Sequence, residues 1–227
     1  MPIVLLIRHA QASFGTADYD VLSDRGHAQV TALQRALARR GVVADHIVSG
    51  SLRRQRDTGQ PCADDAGAVA TIDARWNEYD DDDVLSHHST TPTRLARRAT
   101  DVAPAVSSRD FQAVVDQALR AWVDAGPASG CAQTWPDFLG LVNQALDDLC
   151  ERLLRGQTAL AFSSSGVIAA LAASLIGDPE QTFVTLNQVS VNTAITKVIV
   201  GSHGKTLVSY NDHSHLEEAG DDLVTYR

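Results

Sequence analysis

Three short stretches of this chain carry residues that can do chemistry on an anion. They are Arg8 and His9 in LLIRHA, Arg54 in SLRRQ, and Ser163, Ser164, Ser165 and Gly166 in AFSSSGVIAA. A histidine grouped with two arginines has a definite chemical meaning. Guanidinium groups offer forked donors that match phosphate oxygens. Their charge also disfavours the protonated imidazole, which leaves His9 neutral and nucleophilic. Attack on phosphorus by such a ring gives a phosphohistidine that water then hydrolyses. The serine run admits three readings: a nucleophile, a phosphate cradle at a helix start, or a site that has lost a residue. A nucleophilic Ser164 would lack both the G-x-S-x-G elbow and an identifiable base.

These residues converge only if the elements before them are neighbouring strands. IVLLI at residues 3–7 is a short continuous apolar run, the mark of a strand buried on both faces. HIVSG precedes Arg54, AVATI reads as a weaker third strand, and TALAFS leads into the serines. Between them lie helical patterns. Val30, Leu33 and Leu37 follow a cap at Ser23, with Gly41 as the stop. Phe138, Leu141, Val142, Ala145, Leu146 and Leu149 follow a capping pair, Thr134 and Asp137. SVNTAITKVIV and TLVSYN, separated by GSHGK, read as a closing hairpin.

The alternation predicts an α/β fold, a three-layer sandwich whose mostly parallel central sheet is flanked by helices. The ends of its strands form the ligand edge. A single domain over residues 1–227 is expected, with a helical insertion at roughly 84–135 that covers the pocket and sets specificity. RWNEYDDDDVL reads as polar loop. Trp76, Trp122 and Trp135 are candidates to line the pocket, although helical spacing points Trp122 to the core.

Composition narrows the partners. The net charge of −9, with 28 acidic against 19 basic residues, argues against nucleic acid and against a polybasic membrane patch. Cys62, Cys131 and Cys150 are odd in number and widely spaced, which fits a reducing cytoplasm rather than a disulfide framework or a zinc pattern. The apolar N-terminal run meets Arg8 too soon for a signal peptide, so a cytoplasmic location is expected. Asp80 to Asp83 lack the alternation of a calcium loop, and no metal or other cofactor is expected. TLVSYN is a candidate edge for pairing in a homodimer.

Taken in order, LLIRHAQASFG, LSDRGHAQ and SGSLRRQRDT resemble the histidine phosphatase superfamily, the phosphoglycerate mutase-like proteins, over nearly the whole chain. The resemblance implies His9 as phosphoryl acceptor with Arg8 and Arg54 as phosphate ligands. Ser51, Leu52, Arg54 and Thr58 fit the frame of the family's second arginine, while Arg53 and Arg56 belong to a solvated helix face. The resemblance also places Glu78 where the family carries its proton donor; the alternative is a surface carboxylate in the acidic loop.

The family ends its fourth strand with Ser-His-Gly-Gly, and here Ser164 takes the histidine's place. A serine can still donate to a phosphoryl oxygen but brings no charge, and loss of one such donor costs on the order of 10²–10³ in rate. His203 in GSHG falls in the hairpin turn and does not restore the lost position; His213 and His215 lie near the end of the sequence. Ala10 stands where glycine is commoner, and Gly15 where many mutases carry asparagine, so Ser13 or Gln11 would supply that phosphate contact. A phosphomonoester hydrolase acting on a small phosphorylated substrate is the leading expectation. A phospho-ligand or phosphate-ion binder without turnover, and less readily a mutase, are the alternatives. In a third reading the arginines are simply paired with aspartates such as Asp57.

Overall fold

The computed structural model describes residues 1–13, 20–88 and 108–226. Strand β1 (Ile3–Arg8) is followed by helix α1 (Asp24–Arg39), β2 (His46–Ser49), α2 (Arg53–Asp65) and a two-residue β3 (Thr71–Ile72). Then come α3 (Asp81–His88), α4 (Ser108–Ala125), α5 (Trp135–Glu151), β4 (Thr158–Ser163), α6 (Ser165–Ile176) and α7 (Pro179–Gln188). The hairpin β5 (Ile195–Gly201) and β6 (Gly204–Asp212) precedes a short α8 (Ser214–Ala219).

The six strands form one sheet in the order β3-β2-β4-β1-β5-β6. The β1–β4, β2–β4 and β2–β3 pairs are parallel, and β5 runs antiparallel to both β1 and β6. Parallel neighbours put the ends of β1, β2 and β4 on one edge, so Arg8, Arg54 and Ser164 arrive together. His203 is exposed in the turn between β5 and β6.

Alternation along the central strands builds two cores. Leu5, Ile7, Leu160 and Phe162 face Leu33, Leu37, Cys62 and Ala63 of α1 and α2. Val4, Leu6, Ala159 and Ala161 face the other way, into a larger core with α4, α5 and α6. That second core is aromatic. Trp122 and Trp135 lie 5.6 Å apart centre to centre, and Trp135 and Phe183 4.5 Å. Trp76, Trp122 and Trp135 are all core residues, at most 1% exposed. The caps at Ser23 and Thr134 form as expected, each accepting a backbone N–H three residues on.

Two expectations need correction. AVATI contributes only Thr71 and Ile72 to the sheet. The segment read as polar loop is ordered and partly buried: Trp76 closes a 3₁₀ turn, Tyr79 is enclosed against Trp122 and Phe138, and Asp81–His88 is helical. Three aspartates in the first turn of α3 suit its positive N-terminal end. In the proposed insertion, residues 89–107 lie outside the described residues. Val115, Leu119 and Trp122 of α4 share their core with the sheet and with α5 and α6. Among the described residues no helix is long and apolar enough to cross a membrane.

At Gly59 helix α2 lies close against β4: a Cβ there would meet the Phe162 ring at 2.7 Å. Overpacking of this kind costs about 1–3 kcal/mol, partly offset by alanine's helix propensity. Gly59→Ala should lower the urea midpoint without changing the m-value, as measured by circular dichroism.

Candidate active site

The backbone around His9 is clamped from three sides. Its N–H continues the β1–β4 ladder by donating to the Ser163 carbonyl at 2.8 Å, and its carbonyl accepts from Asn192 Nδ2 at 3.0 Å. The next residue, Ala10, donates its N–H to Thr58 Oγ1 at 2.9 Å, and that hydroxyl donates to the Arg54 carbonyl at 2.7 Å. Thr58 therefore ties the histidine loop to the first turns of α2 and fixes Arg54 against it. Asn192 is held in turn by Thr225, and Thr225 by Gln29, through a buried chain of hydrogen bonds.

The imidazole is 5% exposed, and its partners decide its tautomer. Nδ1 lies 2.7 Å from the Ala10 carbonyl, which can only accept, so Nδ1 carries the proton. Nε2 lies 3.3 Å from Arg54 Nε, which can only donate, so Nε2 presents its lone pair. Burial, with Arg54 and Arg8 nearby, holds the ring's pKa well below the ordinary histidine value. The ring is held as the neutral base, with the Nε2 lone pair facing a guanidinium. A phosphoryl group that reaches Nε2 must take Arg54's place there.

Both arginines are anchored. Arg8 is buried and donates from Nη1 to the carbonyls of Ser190 and Tyr226. Arg54 Nη1 pairs with Asp20 Oδ1 at 2.7 Å, and the Asp20 carboxylate also accepts from the N–H groups of Arg53 and Arg54 at the start of α2. The aspartate pairing considered for the arginines is thus present at Arg54, with Asp20 as its partner, while Asp57 pairs with Arg53 on the exposed face of α2.

Glu78 sits at the N-terminus of α6. Its Oε2 accepts the Gly166 N–H at 3.1 Å and lies 3.4 Å from Ser165 Oγ. Its Oε1 is enclosed with no hydrogen-bond partner among the described residues. Burial raises the carboxyl's pKa, against the lowering effects of the Gly166 N–H, Arg54 and Arg8. The fit leaves no room at residue 166, where a Cβ would stand 2.2 Å from Glu78 Oε1 and 2.4 Å from the Tyr79 ring. Glu78 thus belongs to the strand-end cluster, apart from the exposed Asp80 to Asp82.

Ser164 is fully enclosed and caps α6, with its hydroxyl accepting from Gln55 Nε2 at 2.8 Å. A histidine introduced at 164 would meet that amide. Ser13 is placed in the loop after His9 by a backbone bond to Val21, and Gly15 lies outside the described residues. His215 is buried against Thr193 Oγ1 and pushed down to about 4, chiefly by burial. His213 bonds the Asn211 carbonyl and faces Glu217. Sequence reasoning missed Asp20, Gln55, Asn192 and Thr225. Their partners lie more than 30 residues away along the chain or on another element, where no local pattern marks them.

The sequence profile of the histidine phosphatase superfamily (branch 1) matches residues 4–213. None of the curated protein sequences matches significantly. Among solved structures, a mutant phosphoserine phosphatase from Entamoeba histolytica in complex with phosphoserine superposes with a TM-score of 0.67. It is 19% identical, over 95% of this chain and 100% of that one. Bacillus stearothermophilus YhfR gives 0.66 at 17% identity, over 95% and 99%. A mycobacterial glucosyl-3-phosphoglycerate phosphatase in complex with inorganic phosphate gives 0.64 at 20% identity, over 94% and 98%. At these identities the likeness is one of fold.

The His9 environment makes a linkage prediction. With its folded pKa lowered, His9 binds fewer protons in the native chain than in the unfolded one between that value and about 6.5. Its contribution to stability is complete above about pH 6.5 and is lost as pH falls through the folded value. The gain in unfolding free energy from pH 5 to pH 7.5, read from urea titrations, should shrink in His9→Gln.

Proposed function

The chain belongs to the histidine phosphatase superfamily, and from that membership and the site's geometry we propose that it is a phosphomonoester hydrolase working through a phosphohistidine on His9. The coarser statement, a phosphatase or phosphomutase-type protein, follows from the family. The observation that carries the finer reading is the tautomer of His9: the proton is held on Nδ1 by a backbone carbonyl, which leaves the Nε2 lone pair directed at Arg54. Ligands of the structural relatives, phosphoserine in one and inorganic phosphate in another, support a small phosphorylated substrate here.

In the proposed reaction Nε2 attacks phosphorus while the ester P–O bond breaks in line. Arg8 and Arg54 bind the phosphoryl oxygens as charge develops on them. The leaving oxygen takes its proton from Glu78, whose raised pKa keeps that proton available. The resulting Glu78 carboxylate then takes a proton from water as its oxygen attacks phosphorus. The P–N bond breaks, its electron pair returns to Nε2, and phosphate leaves with both residues restored. Burial acts on the two groups in opposite directions, favouring the neutral base at His9 and the neutral acid at Glu78. Ser13 is a further phosphate contact in this reading, and the cytoplasm is the proposed location.

Water as final acceptor is favoured over a second substrate oxygen because Ser164 supplies no cation with which to hold the intermediate. The same serine is the observation behind a second reading, a phospho-ligand binder without turnover.

Turnover of a small aryl phosphate from pH 5 to 8, with acid-quench mass spectrometry, separates these. His9→Ala should abolish both turnover and trapped phosphate. Glu78→Gln should lower kcat about 10²–10⁴-fold and remove the alkaline limb of the wild-type pH profile; Gly166→Ala, which displaces the carboxylate, should share that defect. Turnover retained in His9→Ala would end the covalent reading. Phosphoester binding without turnover across a panel of natural phosphoesters would establish the binder.

A further inference from the structure

Gln55 is fully enclosed, and both ends of its amide have assigned partners. Its Oε1 accepts the Leu52 N–H at 3.3 Å, the backward reach of a third-position residue at a helix start. Its Nε2 donates to the Trp76 carbonyl at 3.0 Å and to Ser164 Oγ at 2.8 Å. The orientation is forced. Turned over, the amide would set oxygen against the Trp76 carbonyl and N–H against the Leu52 N–H.

An amide N–H only donates, so Ser164 Oγ is the acceptor in that contact and its own proton points elsewhere. The hydroxyls on either side differ. Ser163 Oγ donates to the Trp76 carbonyl at 2.6 Å, and Ser165 Oγ lies at Glu78. Ser164 is the hydroxyl of the run whose proton has no protein acceptor among the described residues. It also stands at the N-terminus of α6, one residue past the carbonyl that holds the His9 N–H.

We propose that Gln55 is a positioning residue for phosphoryl recognition. Its amide makes Ser164 an acceptor toward the protein, which turns the serine's proton toward a phosphoryl oxygen held at His9. The proposal rests on the phosphoryl-binding reading of the site. It gives the pocket two guanidiniums and one oriented neutral donor, and a hydroxyl keeps its proton at any pH where the fold survives. It also explains how the serine serves in a position where charge is absent: its direction is set before the ligand arrives, so less ordering remains to be done on binding.

A double-mutant cycle on the full chain tests this, with inorganic phosphate as the probe in isothermal titration calorimetry. Phosphate binding needs no turnover, so the cycle decides even if the hydrolase reading fails. Ser164→Ala should weaken phosphate about tenfold, a typical loss for one hydrogen bond to a charged group. Gln55→Met should weaken it nearly as much, but should cost less than about twofold more when Ser164 is already alanine. Gln55→Glu keeps the Leu52 cap but sets an oxygen against the Trp76 carbonyl and offers Ser164 an acceptor in place of the donor, and should weaken phosphate at least as much as Gln55→Met. The idea fails if Gln55→Met and Ser164→Ala add independently, if folded Gln55→Glu binds phosphate like wild type, or if wild type binds none.

Discussion

A single backbone hydrogen bond, from the His9 N–H to the Ser163 carbonyl, carries the β1–β4 pairing one residue past the strand ends, and the site is organised around it. It sets the two signature segments side by side although more than 150 residues separate them along the chain. From that point each further contact has one place to go. The Ala10 N–H meets Thr58, which fixes the start of α2 and Arg54; the Ser163 carbonyl is followed at once by the start of α6, which holds Glu78. A one-residue slip of β1 against β4 would turn the core side chains of β1 to the wrong face. The hydrophobic pattern that specifies the two cores therefore also brings His9 and Glu78 to the same strand-end edge.

Burial does different work on the two titrating groups because they carry charge in opposite protonation states. Removing His9 from water favours its uncharged base, and the two guanidiniums push in the same direction. Removing Glu78 from water favours its uncharged acid, with the same guanidiniums pulling against it. Burial thus moves the two groups in opposite directions, the imidazole toward its neutral base and the carboxyl toward its neutral acid. Arg8 and Arg54 are positioned beside them by carbonyls and by Asp20.

The parts of this arrangement legible in sequence were those with local signals. Apolar runs marked β1, β2 and β4, a serine and a threonine marked two helix starts, and the order of the Arg8-His9 and Arg54 segments marked the ligand edge. AVATI has strand composition, but only Thr71 and Ile72 reach the sheet, because pairing with β2 is a tertiary event. The aspartates before Val84 hid a helix. Acidic residues in a first turn are a helix-start signal, yet a run of four reads equally as a solvated loop. Burial of Trp76 and Tyr79 depends on α4, α5 and α7 and could not be seen locally. Asp20 on Arg54, Gln55 on Ser164 and the Asn192–Thr225–Gln29 chain are contacts between distant segments, with no periodicity to announce them.

The missing side chain at Gly166 has a consequence for how sequences of this kind can change over time. Glycine near the start of a helix gives up as much as about 1 kcal/mol against alanine, so drift alone would tend to replace it. The space its Cβ would need is filled by Glu78 Oε1 and the Tyr79 ring. Replacement is therefore open only to lineages that have already given up the carboxylate or moved it. Positions 78 and 166 should be inherited as a pair, and a descendant with any larger residue at 166 should be one whose carboxylate at 78 has shifted or gone.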